Sequence, residues 1–142
     1  MEGCWRADDA LEMYDFGSGE KICSVPWFRS EMYGQGCMLY AAQFSKHGYD
    51  SPSDAPKFIA AGGSGANEAR VFDVQNNNAC VGSITGLPRG IFTVDWSPTE
   101  SKVAVAGGDA TIRLIDVCAK TSKKACGVLS GENGGDVENV QN

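Results

Sequence analysis

Long apolar runs are missing from this chain. Nowhere do about 18 consecutive apolar residues occur, so no helix of membrane-crossing length is expected. The opening residues include Glu2, Arg6, Asp8 and Asp9 and lack the apolar core of a secretion signal. Basic charge is scarce too: 12 Lys and Arg face 18 Asp and Glu, for a net charge of −6. Apart from Lys123-Lys124 the cations are scattered, which argues against nucleic acid as a direct partner. The one histidine, His47, sits in a turn-rich stretch without a Ser or Cys motif beside it and reads as a solvated loop residue. The six cysteines, Cys4, Cys23, Cys37, Cys80, Cys118 and Cys126, form no CxxC pair and no even framework. They read as buried or edge thiols of a cytoplasmic chain, with no metal centre implied.

What the sequence does contain is a copy of itself. "FIAAGGSGANEARVFDV", residues 58–74, answers to "VAVAGGDATIRLIDV", residues 103–117. Each copy holds a strand of small and β-branched residues, a Gly-Gly break, a tight connection and a second strand closing on Asp-Val. Upstream of both lies an alternating run ending in an aromatic residue and Ser, Leu39 to Ser45 and Ile91 to Ser97. A partial third copy begins at Leu11, with Asp15 in place of Asp73 and Asp116. The equivalent aspartates are spaced by 58 and then 43 residues, and the shorter value is the undecorated period. The excess lies chiefly in the turn-rich insertion Lys46 to Pro56. A repeat of roughly 40 to 45 residues with about four strands has the size of one β-propeller blade.

The expected fold is therefore all-β: four-stranded antiparallel sheets arranged as propeller blades in an incomplete ring. Residues 1–36 would form a partial blade and a connecting loop, 37–86 a second blade, 87–130 a third, and 131–142 a polar tail. The third blade's outer strand is expected near Ala125 to Leu129. Three blades fall short of the four to eight of closed propellers. An uncovered face of several hundred Å² costs roughly 10 kcal/mol at ~25 cal/mol/Å². That rivals the ~5 to 15 kcal/mol stability of a whole domain. Further chain, or another protein, is expected to complete the ring.

The stretch "VDWSPTESKVAVAGGDATIRLIDV", residues 94–117, resembles the WD-repeat family of β-propellers: an inner strand, a Ser-Pro turn, a second strand, an Asp-containing hairpin and a third strand like "TIRLWD". The resemblance extends from about Gly3 to about Leu129. Tyr14, Phe72 and Ile115 stand where that family's signature Trp would be, and no Gly-His pair precedes either inner strand. The family's buried Asp-His-Ser/Thr-Trp network is thus incomplete, which leaves blade packing to apolar contact.

The resemblance implies a non-catalytic protein–protein interaction scaffold within a larger assembly. The opening "GCWR…LEMYDFGSGEKI" extends the likeness to cytoskeletal and ciliary members of the family. Function in such a scaffold lies in loops, and the candidate partner-binding residues are Arg6, Trp27, Tyr33, Asn67, Arg89 and Asp109. Trp96 is expected in the core, because Phe44 occupies its place in the preceding copy. The rival motif is Gly63-Ser64-Gly65, which superficially resembles a phosphate loop. That chemistry requires a helix N-terminus immediately after the glycines, whereas residues 68–74 read as a strand. A nucleotide-binding enzyme fragment remains the alternative from another class, and a substrate-recognition subunit of an enzyme complex is a further one. No catalytic, cofactor-binding or metal-ligating set is expected.

Overall fold

Alternation of side chains every two residues governs the architecture, because residues at i and i+2 of a strand share a face. A computed structural model of the chain describes residues 2–3, 9–27, 36–46 and 56–117. The expected strand at 125–129, the polar tail, His47, Arg6 and Tyr33 lie outside the described residues. Ten strands follow in order: β1 Glu2–Gly3, β2 Leu11–Tyr14, β3 Lys21–Ser24, β4 Cys37–Phe44, β5 Phe58–Gly65, β6 Ala69–Asp73, β7 Ala79–Ile84, β8 Ile91–Trp96, β9 Lys102–Gly107 and β10 Ile112–Asp116. A 3-10 turn, Val74–Asn76, is capped by Asp73, whose Oδ1 accepts the Gln75 amide at 3.0 Å.

The strands form three separate antiparallel meanders: β1-β2-β3, β4-β5-β6-β7 and β8-β9-β10. The chain is thus predominantly β, as the repeat pattern predicts. One expectation is revised. The glycines of "AAGGSG" do not break the strand, since β5 runs through Gly62 and Gly63 to Gly65.

The second and third sheets superimpose rung for rung. Phe44, Ile59 and Phe72 lie opposite one another, as do Trp96, Val103 and Ile115. Ala42, Ala61 and Arg70 answer to Val94, Val105 and Arg113. Leu39 pairs with Gly63, and Ile91 with Gly107. A Cβ on Gly63 would stand 1.8 Å from the Met38 carbonyl oxygen, and one on Gly107 would stand 2.2 Å from that of Gly90. Only glycine lets the first strand come so close at either place. The pairing equates Gly63 with Gly107, one residue away from the match suggested by aligning the two Gly-Gly dipeptides.

Two apolar interfaces hold the three sheets together. Between the first and second lie Leu11, Met13, Leu39, Ile59, Ala61 and Phe72. Between the second and third lie Phe58, Ala60, Val71, Ile91, Val94, Trp96, Val103 and Val105. Successive residues of β5 therefore face opposite neighbours, which is why "FIAA" is apolar without alternation. Trp96 is buried, stacks on Phe58 with ring centres 6.0 Å apart, and donates its indole N–H to the Gln43 carbonyl at 3.1 Å. The first strand of the third sheet packs beside the first strand of the second, β8 against β4.

Candidate functional site

In the second and third sheets the first strand carries a β-bulge near its start. The pairing skips from Leu39 to Ala41 and from Ile91 to Thr93, leaving Tyr40 and Phe92 as the extra residues. A bulged residue has no cross-strand partner and its side chain leaves the regular alternation. Tyr40 and Phe92 consequently emerge at the surface and meet each other, ring centres 5.6 Å apart at 60°. Ser64 Oγ donates to the Tyr40 hydroxyl at 3.0 Å. A Cβ on Gly108 would meet Phe92 at 3.2 Å and Arg89 at 3.3 Å, so the Arg89 stem, Phe92 and the backbone of Gly108 are close neighbours.

The loops around this aromatic pair are pinned. Asn67 takes a left-handed conformation, φ 48°, in the β5–β6 hairpin. Its side-chain amide donates to the Leu87 carbonyl at 3.1 Å, and the Leu87 amide donates to the Asn67 carbonyl at 3.2 Å. The hairpin is thereby tied to the connection between the second and third sheets. In the β9–β10 hairpin, Asp109 Oδ1 accepts the Thr111 amide at 3.2 Å and its hydroxyl at 2.8 Å, while Oδ2 accepts Arg113 Nη2 at 2.6 Å. The Arg113 guanidinium, followed by the Thr111 hydroxyl, holds the Asp109 carboxyl well below the usual carboxylate range.

Asn67, Arg89 and Asp109 thus lie on the hairpins and connection at one end of the second and third sheets. Trp27 is placed differently. Its indole N–H donates to buried Glu68 at 3.0 Å, the Arg70 guanidinium lies 5.0 Å above its ring, and Phe72 packs 5.6 Å away. Arg70 also binds both Glu68 oxygens at 3.0 Å. Trp27, Glu68 and Arg70 form a polar clamp between the first two sheets, and the Trp27 side chain is engaged within the chain. Cys37, buried on the same side, has its thiol pushed up to about 12, first by burial and then by the Glu68 charge.

Sequence reasoning missed Tyr40 and Phe92, although the signal was present: an aromatic residue stands at the second position of both "LYAAQFS" and "IFTVDWS". The Gly63 to Gly65 stretch leads through a turn into β6. The segment after these glycines therefore supplies no helix N-terminus to cradle a phosphate. Compared with known proteins, the chain matches no family model and no curated protein.

Proposed function

We propose that the chain is part of a β-propeller of the WD-repeat kind and serves as a non-catalytic scaffold for protein–protein interaction. The observation that carries this reading is the shared register of the second and third sheets, including the paired bulges at Tyr40 and Phe92 and the paired close approaches at Gly63 and Gly107. Stacking of identical units is how repeat folds bury a continuous core. The docking face is the loop end bearing Tyr40, Phe92, Asn67, Arg89 and Asp109, where aromatic and Arg side chains of the kind enriched in binding hot spots stand on fixed loops.

The outward face of the third sheet is the place for a further sheet. Ile112 and Leu114, 75% and 55% exposed, occupy the register positions of Ala69 and Val71, which are 2% and 1% exposed beneath β8. More of the same chain, or another protein of the assembly, fills this position. Tubulin copurification would support a cytoskeletal or ciliary setting.

The test compares proteins recovered with the wild-type chain, with an Asn67→Ala/Arg89→Glu/Phe92→Ala variant and with a Leu114→Ala control. Partners retained by wild type and control but lost from the triple variant support the loop face. Equal recovery by all three rejects it.

A further inference from the structure

Strand β7 ends the second sheet, and among the described residues its backbone forms no backbone hydrogen bond beyond the ladder with β6. An edge of this sort offers a row of N–H and C=O groups to any second strand, and soluble proteins ordinarily block it with Lys, Pro or inward charge. The first sheet follows that rule: its outer strand β3 opens on Lys21, ion-paired to Glu12 at 2.6 Å. Strand β7 reads Ala-Cys-Val-Gly-Ser-Ile, with neither charge nor proline. Ala79, Cys80, Val81 and Ser83 are exposed, and Val81 is the bulge residue left unmatched by β6.

Gly82 adds an independent observation. A Cβ there would meet nothing within 4 Å, and its backbone is outside the left-handed region. Neither packing against the described residues nor conformation requires glycine at this point, whereas a glycine inside a strand marks places where another backbone comes close. Beside the strand's start, Pro26, Phe72 and the turn 76–80 enclose an open cleft of about 370 Å³, which gives a neighbouring side chain somewhere to go.

We propose that the outer edge of β7 pairs antiparallel with the β7 edge of a second copy of this chain, forming a two-fold dimer through a continuous sheet. A strand edge, with its row of backbone donors and acceptors, selects an extended strand as occupant. The absence of charge along the edge lets identical strands meet without repulsion, and two-fold self-pairing is the commonest way identical chains associate.

Sedimentation velocity of the full 142-residue chain over a hundredfold concentration range tests the pairing. A monomer–dimer equilibrium is expected, weakened tenfold or more by Val81→Lys and unchanged by Leu114→Lys, which alters the separate outward face of the third sheet. Far-UV circular dichroism identifies any variant that fails to fold. Hydrogen exchange on the unmodified chain gives a second readout, with amides of residues 79–84 becoming protected as the dimer forms. A chain monomeric throughout, a dimer indifferent to Val81→Lys, or residues 79–84 equally exchangeable in both states would overturn the proposal. Association lost with Leu114→Lys alone would also overturn it, while leaving the scaffold reading intact.

Discussion

Strands β5 and β9 hold the same place in successive sheets, yet β5 is buried on both faces and β9 on one. Residues Phe58 to Gly63 of β5 are all buried, whereas in β9 burial is confined to Val103 and Val105. The difference does not lie in register, which is common to both sheets. It lies in what stands alongside: among the described residues the second sheet has a neighbour on each side, and the third has one. Sequence follows this contrast closely. Rung positions that face a neighbour hold Ile59, Ala61 and Phe72 in one sheet and Val103, Val105 and Ile115 in the other. The positions of Phe58 and Val71, buried in the second sheet, hold exposed or partly exposed Lys102 and Leu114 in the third.

The largest effects should come from the shared close approaches. Gly63→Ala and Gly107→Ala each drive a methyl group into a carbonyl oxygen of the adjoining strand, relieved only by parting that strand pair. Each should cost more than about 4 kcal/mol, measured by urea unfolding. Gly82→Ala, which places its methyl in open space, should be neutral or stabilise by up to about 1 kcal/mol. A large loss at Gly63 with none at Gly107 would break the equivalence of the two sheets.

The buried and bare faces should separate next. Trp96→Ala removes the largest side chain between the second and third sheets and should cost roughly 3 to 5 kcal/mol. Leu114→Ala, on the open face, should remain within about 0.5 kcal/mol. Glu68→Gln leaves Arg70 with a neutral partner beneath Trp27. A loss of roughly 3 kcal/mol by thermal or urea unfolding is expected, because removing one member of a buried pair strands the other charge.

Smaller effects sharpen the comparison through pH. The Cys37 thiol is raised in the fold to about 12 from an ordinary value of 9.0. The unfolded chain therefore loses this proton first as pH rises, and stability should decline from about pH 9 toward 12. Cys37→Ala should flatten that alkaline slope in urea midpoints measured across the range. Asp109 has the opposite sign: its carboxyl is lowered, so its contribution is present above the ordinary carboxylate value and disappears as pH falls below about 4. Asp109→Asn should reduce the acid slope, and an unchanged slope would remove the Arg113 contact from the account.

Much of the fold was legible because repetition reports architecture without needing propensities. Trp96 was placed in the core from its correspondence with Phe44, and it is buried there. The glycines were harder. Their usual meaning is a turn, and only the pairing shows Gly63 and Gly107 lying within sheets against a neighbouring carbonyl. The bulges that turn Tyr40 and Phe92 outward are marked only by the shared aromatic at the second position, since "LYAAQF" and "IFTVDW" otherwise read as ordinary strands. Trp27 was expected to end an outer strand and be half exposed, and it lies just past β3, partly exposed. Its engagement depends on Glu68, 41 residues away, and on a contact between sheets that periodicity does not encode.

The claim beneath all of this is that the third sheet repeats the second with one cover absent. Mass-spectrometric thiol labelling of Val71→Cys and Leu114→Cys, introduced separately into the 142-residue chain at these matched register positions, tests it most directly. The account predicts rapid modification at position 114 under native conditions and modification at position 71 only on unfolding. Equal native rates at the two positions would contradict it.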